Sequence, residues 1–371
     1  MKVIIAAAGT AGHINPGIAI AKKIEKENPG SDIRFIATGK KLEEDLIHNA
    51  GYKSYKINAY GFSKKISINN IKRTFKTLKG FSEAKKILKE FKPDIVIGTG
   101  GYICGAVISS AHSLGIKTLL HESNAYPGLA IRLLQRKANV ILVGIKNAKN
   151  YLTKAKRVIY TGTPVSINLK EVTKEEKGKI ISNLGIDSKL PIVLIFGGSQ
   201  GAKKINDCVI DIITNNMNKD YQIVWSCGKE QYNFIKEELK NNKIDIENIK
   251  NVKVMPYIYN MDEVMKVSSL VVSRSGALTL TEISLLGKPA IFIPLPSSSA
   301  NRQEDNARVF EKNGASKVIL NSEINKENLS KAINEIINDK EKLKKMGDAS
   351  KKMAVYNSEE KIYEEIKRLV G

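Results

Sequence analysis

The chain has 371 residues, with 60 Lys and Arg against 38 Asp and Glu, which gives a formal net charge of +22. Its length predicts two domains rather than one, and a composition of 42% hydrophobic and 26% charged residues excludes a disordered or collagen-like chain. Three widely separated cysteines argue against a disulfide framework and favour a reducing compartment. No apolar stretch approaches the roughly 20 residues that a transmembrane helix needs.

The positive charge is concentrated in the first part of the chain. Residues 1–170 contain 29 basic and 10 acidic residues, against 31 and 28 afterwards, so the two parts carry net charges of +19 and +3. Residues 61–92 contain ten basic and two acidic residues, and residues 123–170 contain nine basic residues and no acid. This asymmetry predicts an anionic partner for the first part.

A membrane surface fits this charge better than a nucleic acid does. No zinc-finger spacing, RNA-binding motif or basic zipper is present, so we expect no nucleic-acid partner. Around residue 75, apolar residues at helical spacing are flanked by basic ones, which is typical of peripheral attachment to anionic lipid. An ordinary amphipathic helix with a solvated face is the alternative. The predicted membrane surface consists of Ile71, Phe75, Leu78, Lys72, Arg73 and Lys76.

The predicted elements alternate between strands and helices in two series. The first series has predicted strands at 2–8, 32–38, 93–98, 118–121, 140–143 and 158–160, and helices at 16–28 and 81–91. The second has strands at 192–196, 222–226, 252–255, 270–273, 290–293 and 316–320, with a helix at 202–215. This alternation predicts two doubly wound α/β domains with parallel sheets, linked at residues 162–164. Ligands of such domains bind at the carboxyl ends of the strands, so we expect the site in a central cleft that both domains face.

The first strand runs into a loop of small residues, from Gly9 to Gly12, which ends at His13. The spacing is not the dinucleotide fingerprint GxGxxG. Small residues at the start of a helix expose backbone amides that favour oxyanions, and His13 could there accept a proton near neutral pH. A capping or packing role for His13 is the alternative.

A second loop with the same design follows the predicted strand at 192–196. Its glycines, Gly198 and Gly201, surround Ser199 and Gln200, and the serine hydroxyl would add a donor for a phosphate. The loop lacks the Gly-Lys-Ser/Thr ending of a P-loop, so an NTPase is not expected. A plain strand-to-helix turn is the alternative.

A third cluster follows the strand at 270–273 and includes Glu282. This carboxylate lies near the predicted start of a helix, where it could accept hydrogen bonds from the two hydroxyls of a ribose. The alternative is a surface glutamate that the helix dipole favours anyway.

Six motifs occur together in a fixed order. They are Gly-Thr-Ala-Gly-His-x-x-Pro at 9–16, Gly-Gly-Tyr at 100–102, His-Glu-Ser-Asn at 121–124, Gly-Gly-Ser-Gln-Gly at 197–201, Arg-Ser-Gly-Ala-x-Thr-x-x-Glu at 274–282 and Gln-x-x-Asn-Ala at 303–307. Over nearly its whole length the chain thereby resembles the MurG family of N-acetylglucosaminyltransferases, part of glycosyltransferase family 28.

The resemblance implies a GT-B fold with an acceptor and membrane-associating domain at 1–162, a donor domain at 163–354, and a last helix at about 355–371 that packs back on the first domain. It implies inverting transfer of N-acetylglucosamine (GlcNAc) from UDP-GlcNAc to the C4 hydroxyl of the N-acetylmuramic acid of lipid I, which forms lipid II for peptidoglycan. The partners would be UDP-GlcNAc, lipid I and the anionic cytoplasmic face of the cell membrane. A GT-B enzyme acting on another lipid such as diacylglycerol, or a non-catalytic nucleotide-binding scaffold, are the alternatives.

The resemblance also assigns residues. His13 is the expected catalytic base, with Glu122 as the alternative, and Gly198, Gln200 and Gly201 would hold the diphosphate together with Ser199. No cofactor is expected, and because the chain has no Asp-x-Asp motif, no essential metal either. The residues expected to bind UDP-GlcNAc are Thr10, Ala11, Gly12, Asn124, Ser166, Ser199, Ile258, Ala277, Leu278, Thr279, Leu280, Thr281, Glu282 and Gln303.

Three positions depart from the family pattern. Ala11 replaces a usual glycine, Ser166 stands where some members have a donor-binding arginine, and Arg302 stands where many have glutamine or histidine. None of the three removes a group that the proposed chemistry requires.

Overall fold

A computed structural model describes residues 1–59, 68–186, 189–198, 200–246, 248–249, 251–296 and 301–371. For residues 68–78 it describes the backbone only. The chain divides into two compact units. The first contains residues 1–166 and 355–371, and the second contains residues 167–354. Each unit is built around one parallel sheet.

The first unit alternates strands and helices along the chain. Its elements are β1 (Lys2–Ala7), α1 (Ala11–Glu27), β2 (Asp32–Ala37), α2 (Lys41–Asn49), β3 (Lys53–Lys56), α3 (Ile68–Phe91), β4 (Ile95–Gly100), α4 (Ile103–Ser113), β5 (Lys117–Glu122), α5 (Leu129–Leu134), β6 (Val140–Val143), a 3₁₀ helix (Lys146–Tyr151) and β7 (Val158–Tyr160).

The seven strands of the first unit are all parallel and lie in the order β3-β2-β1-β4-β5-β6-β7. β1 is buried from Val3 onwards, and the side chains on its two faces enter two separate apolar cores. The strand order reverses between β1 and β4, so the loops that follow these two strands lie side by side at one edge of the sheet.

The second unit repeats this plan. Its elements are α6 (Lys174–Leu184), β8 (Ile192–Phe196), α7 (Lys203–Thr214), β9 (Gln222–Ser226), α8 (Tyr232–Asn241), β10 (Val252–Met255), α9 (Met261–Val267), β11 (Leu270–Ser273), α10 (Ala277–Leu285), β12 (Ala290–Phe292), α11 (Arg302–Lys312), β13 (Ser316–Val318), α12 (Lys326–Ile337) and α13 (Lys340–Lys352). The sheet order is β10-β9-β8-β11-β12-β13, with a reversal between β8 and β11.

The predicted fold class of two doubly wound α/β sheets is confirmed. Several predicted boundaries shift by one to two residues, as at β4 and β13, and three differences are larger. The predicted helix at 16–28 begins five residues earlier, at Ala11, although Gly12 and Pro16 have weak helix propensity. Tertiary packing supports this helix, since Gly17 lies so close to β1 and β4 that a Cβ there would be 3.1 Å from the Ile5 side chain and 3.2 Å from Thr99. The predicted helix at 81–91 is the end of the longer α3.

The third difference is β3, an edge strand that the sequence analysis missed. Its sequence, Lys-Ser-Tyr-Lys, is mostly exposed and pairs only with β2 among the described strands. An edge strand needs no apolar run, because it does not bury two faces, so hydrophobic patterning could not detect it.

The C-terminal helix α14 (Ser358–Val370) belongs to the first unit and packs on α1. Ile366 is fully buried in the core that β1 shares with α1. Around this contact, the ammonium of Lys23 donates to Glu360 at 2.9 Å, and the buried Glu365 accepts from Arg157 and Arg368. Among the helices of the described residues, none is long and apolar enough to cross a bilayer.

We predict that Ile366→Ala lowers the free energy of unfolding of the first unit by about 2–4 kcal/mol, since it removes buried methyl groups and leaves a cavity. Urea unfolding followed by circular dichroism measures this change. The matched control is Lys367→Ala, at an exposed position of the same helix, which should stay within about 0.5 kcal/mol of the wild type. Equal stabilities for the two variants would show that α14 does not anchor the first unit.

Candidate functional site

The first loop lies where β1 ends at the switch point of the first sheet. Gly9 adopts φ +102°, and α1 begins immediately after Thr10. The His13 amide donates to the Thr10 carbonyl at 3.0 Å, which places His13 in the first turn of the helix. Thr10, Ala11, Gly12 and His13 are all at least partly exposed, so the predicted ligand-binding loop is accessible.

His13 lies against the neighbouring strand, β4. The Thr99 hydroxyl donates to the His13 carbonyl at 2.7 Å. Gly100, at φ +124°, approaches so closely that a Cβ there would lie 2.3 Å from His13 Nδ1. A side chain at position 100 would therefore displace the imidazole, and the second motif, Gly-Gly-Tyr, serves to make room for the histidine of the first.

The His-Glu-Ser-Asn motif at 121–124 begins at the end of β5, the strand next to β4. Glu122 is buried, and one carboxylate oxygen accepts from the amide and side chain of Asn124, both at 2.9 Å. The other oxygen accepts from the Gly128 amide at 2.7 Å. Both oxygens are thus engaged in shaping the loop that presents Asn124. Glu122 therefore stays the alternative to His13 as the base, with its carboxylate bound to this loop by three hydrogen bonds.

His121 has no access to solvent and is a structural residue. Its Nε2 lies 3.0 Å from the Gly162 carbonyl, and burial lowers its pKa to about 4. A neutral imidazole here joins the end of β5 to the segment that leaves the first unit.

The second glycine loop follows β8 at the switch point of the second sheet. Gly201 adopts φ +77°, and a Cβ there would lie 2.1 Å from the Cys227 carbonyl. Gly228 packs against the same loop, since a Cβ added at Gly228 would lie 2.6 Å from the Gly201 amide nitrogen. Both glycines are required by close backbone packing. Gly198, also at positive φ, accepts from the Gly201 amide at 3.0 Å, and Ser199 lies outside the described residues.

The segment after β11 is joined to the start of α11. The Ser275 hydroxyl donates to the Gln303 carbonyl at 2.7 Å, and the Leu295 amide donates to Gln303 Oε1 at 3.0 Å. Arg274 donates to the carbonyls of Ile293 and Pro294 at 2.9 and 3.1 Å. These bonds bring Gln303 beside the loop that starts α10.

Glu282 lies in the second turn of α10 and is partly buried. Burial raises its pKa to about 7, and repulsion from Asp262 acts in the same direction. No donor to its carboxylate is found among the described residues. A carboxylate without donors in a desolvated position is suited to accept hydrogen bonds from a ligand that supplies two hydroxyls.

Two residues expected to bind UDP-GlcNAc, Ile258 and Leu280, have their side chains in the apolar core. The side chains of Ile258 and Leu280 are each 1% exposed and pack in one apolar core with Phe196. Only their backbone groups are left to contact a ligand. The Thr281 hydroxyl donates to the Ala277 carbonyl at 2.9 Å, whereas Ala277, Leu278 and Thr279 are partly exposed at the start of α10, and Ser166 is exposed where the first unit ends.

The helices that follow the four switch-point strands have similar starts. Among the described residues, no side chain caps the N-terminus of α1, α4, α7 or α10, and the first turn of each contains no acidic residue. The helices α5 and α8 share both features, whereas α6, α12 and α13 are capped by their own N-cap side chains. What distinguishes the first four helices is that they follow the strands at the two switch points. Uncapped amides together with the helix dipole favour an anionic ligand.

Two features lie outside this candidate site. The side chains of the predicted membrane surface (Ile71, Phe75, Leu78, Lys72, Arg73 and Lys76) lie outside the described residues, although their backbone is part of α3. A cavity of about 440 Å³ lies beside the C-terminal end of α8, at the opposite edge of the second sheet from the glycine loop. Its lining includes Lys236, Lys240 and Lys243.

Among the described residues, no group of His, Cys, Asp or Glu could hold a metal ion.

Sequence reasoning missed residues that hold the loops in place. Glu43 is fully buried and accepts from the Gly9 amide at 2.8 Å. Asn206 accepts from the indole of Trp225 at 3.1 Å and donates to the Cys227 carbonyl at 2.8 Å, beside Gly201. The sequence gives little indication of their role, because a polar residue in the first turn of an amphipathic helix is normally exposed to solvent. A buried one cannot be distinguished from it by pattern alone.

Comparison with known proteins matches both units. Residues 3–143 match the glycosyltransferase family 28 N-terminal domain, and residues 192–362 match the family 28 C-terminal domain. A protein of Ruminiclostridium cellulolyticum named "UDP-N-acetylglucosamine--N-acetylmuramyl-(pentapeptide) pyrophosphoryl-undecaprenol N-acetylglucosamine transferase" is 41% identical over 370 residues, covering 100% of both chains. A relative of the same name from Thermoanaerobacter sp. is 41% identical over 369 residues, again with 100% of both chains covered.

Among solved structures, the crystal structure of Acinetobacter baumannii MurG is similar to this chain with a TM-score of 0.80 and 27% sequence identity. The similarity covers 99% of each chain. It therefore extends over both units and the C-terminal helix.

We predict that Glu282 makes the second unit less stable as the pH rises. Its folded-state pKa of about 7 exceeds the ordinary value of 4.5, so the native state binds the proton more tightly, and this stabilisation is lost between about pH 5 and 8. Relative to Glu282→Gln, the free energy of unfolding of the wild type should fall by about 2 kcal/mol over this interval. Fluorescence of Trp225, the single tryptophan, reports urea unfolding of this unit.

The control for this measurement is Glu230→Gln, an exposed glutamate of the same unit. It should follow the pH dependence of the wild type. A difference between wild type and Glu282→Gln that stays constant from pH 5 to 8 would contradict the raised pKa.

Proposed function

The chain belongs to the MurG family within glycosyltransferase family 28, and on that premise we propose that it transfers GlcNAc from UDP-GlcNAc to the C4 hydroxyl of the N-acetylmuramic acid of lipid I, which forms lipid II. The observation that carries the proposal is the 41% identity, over the whole length of both chains, to a transferase whose name states this donor and acceptor. The loops at the two switch points supply groups that suit the reaction.

On the acceptor side, His13 is the proposed base. It takes the proton of the C4 hydroxyl while that oxygen attacks the anomeric carbon of GlcNAc. The new bond joins the anomeric carbon to the acceptor oxygen, and the bond to the diphosphate oxygen breaks, so that UDP leaves with the electron pair and the anomeric configuration inverts. The hydrogen bond from Thr99 to the His13 carbonyl and the lack of a side chain at Gly100 support this role, because they hold the His13 backbone in place and leave room for the imidazole.

On the donor side, the proposed diphosphate site is the loop from Gly198 to Gly201, with Ser199, at the uncapped start of α7. Its amides would stabilise the charge that develops on the leaving UDP. Glu282 would accept from the ribose hydroxyls, and Gln303 would bind the donor sugar. The small residues Thr10, Ala11 and Gly12, with Asn124, would complete the contacts to the sugar nucleotide.

We also propose that the first unit binds an anionic membrane. The support from described residues comes from α5, within the stretch 123–170 that contains no acid. Leu129 and Leu133, one turn apart on α5, are 48% and 63% exposed. Tyr151, whose ring packs edge-on against Tyr126 just before α5, is 49% exposed. Arg136 and Lys137, in the turn that follows α5, are also exposed. An apolar face next to basic residues suits a lipid surface.

The function is tested by measuring transfer of radiolabel from UDP-GlcNAc to lipid I and, in parallel, to diacylglycerol. We expect a labelled product with lipid I only. Transfer to diacylglycerol alone would favour an enzyme acting on another lipid, and binding of UDP-GlcNAc without transfer to either acceptor would favour a scaffold.

We predict that His13→Ala reduces kcat with lipid I by about 10²–10⁴-fold, as expected for loss of a general base. Its affinity for UDP, measured by calorimetry, should stay within a factor of about three of the wild type, because the residues proposed to bind the diphosphate and the ribose, Gly198 to Gly201 and Glu282, lie in the second unit. The control is His112→Ala, at an exposed position of α4. Near-normal turnover of His13→Ala would remove His13 from the mechanism.

We predict that Leu133→Ser weakens binding to phosphatidylglycerol vesicles by about tenfold, on the scale of burying one leucine side chain. Vesicle sedimentation measures it, and binding should also fall with added salt. Leu169→Ser, which changes a leucine 40% exposed in the second unit, serves as the control. Equal binding to phosphatidylcholine vesicles would argue against an electrostatic surface.

A further inference from the structure

The buried carboxylate of Glu43 contacts the loop that ends at His13, although Glu43 belongs to a different helix. Glu43 lies in the first turn of α2 and is fully buried. Its Oε1 accepts from the Gly9 amide at 2.8 Å, and its Oε2 accepts from both the amide and the hydroxyl of Thr38, each at 2.8 Å. One side chain thus joins the loop after β1 to the loop after β2.

This carboxylate is stabilised by hydrogen bonds rather than by an opposite charge. No Lys, Arg or His of the described residues forms an ion pair with Glu43. Three donors and the start of α2 replace the water that burial removes. A glutamine could not do the same. Whichever way its side-chain amide were turned, the NH₂ group would face a backbone N–H, that of Gly9 or that of Thr38, and two donors cannot form a hydrogen bond with each other.

The position of Gly9 determines where α1 begins. Gly9 adopts φ +102° and immediately precedes Thr10, the N-cap of the helix that carries His13 in its first turn. The His13 carbonyl is held separately by the Thr99 hydroxyl, and Gly100 lies against its ring. Glu43 is therefore the contact that fixes the start of the loop, whereas Thr99 and Gly100 fix its end.

We propose that Glu43 is a positioning residue for the transfer reaction: by binding the Gly9 amide it holds the loop from Gly9 to His13 in the geometry that the base requires. The inference rests on the proposed function of His13. Glu43 itself touches no substrate, since its side chain has no exposed surface. Small displacements of a reacting group reduce turnover strongly while leaving binding at other sites unchanged.

The test compares Glu43→Gln with Glu44→Gln, which changes the neighbouring, exposed glutamate in the same helical turn. With lipid I as acceptor we expect kcat of Glu43→Gln to fall by about 10–100-fold, while its UDP affinity stays that of the wild type and Glu44→Gln keeps full activity. Thr38→Ser retains the hydroxyl donor and should keep at least half of kcat, whereas Thr38→Val should lose part of it.

An activity-independent measurement separates positioning from general stability. Hydrogen exchange of the peptide containing residues 8–14 should become faster in Glu43→Gln, with exchange in the second unit unchanged. Wild-type kcat in Glu43→Gln, or a loss of kcat accompanied by an equal loss of UDP affinity, would overturn the proposal. Absence of transfer in the wild type and in Glu44→Gln would instead refute the proposed function, while the exchange result would still test the contact between Glu43 and the loop.

Discussion

Every proposed ligand contact in this protein depends on one geometric constraint, which is that all strands of a parallel sheet end at the same edge. Because the strand order reverses between β1 and β4, and again between β8 and β11, the helices after these strands diverge to opposite faces and leave their loops open. In both units a glycine-rich loop lies at this reversal. The fold thereby places a glycine-rich loop and the N-terminus of a helix at this edge in each unit.

The two units use this common plan with different chemistry. In the first, glycines make room for a side chain, since Gly100 leaves space for the His13 ring. In the second, glycines allow backbone to contact backbone, since Gly201 and Gly228 pack on each other's peptides. The charge follows the same division: the part up to residue 170 carries +19 and the rest +3. A lipid-linked, anionic acceptor suits the first unit, and amides with a partly buried carboxylate, Glu282, suit a sugar nucleotide.

Sequence patterning predicted most of the fold because fully buried parallel strands are short, continuous apolar runs, as at β6, β8 and β9. It failed where tertiary contacts override local preference, at the start of α1, and where an edge strand buries little, at β3. For the site, motifs identified the loops but not their supports. Glu43 and Asn206 are polar residues on helices, and their burial follows only from the approach of a distant loop. Ile258 and Leu280 show the converse, since matching a motif did not reveal that their side chains are in the core.

The central claim is that the amides at the switch point of the second unit hold the donor diphosphate. Hydrogen exchange of the full chain with and without UDP-GlcNAc tests it directly, because bound amides exchange more slowly. Protection should be largest at residues 197–204 and 276–283, with no change at residues 236–246, which border the lysine-lined cavity beside α8. Protection at 236–246 with unchanged exchange at 197–204 would contradict the account.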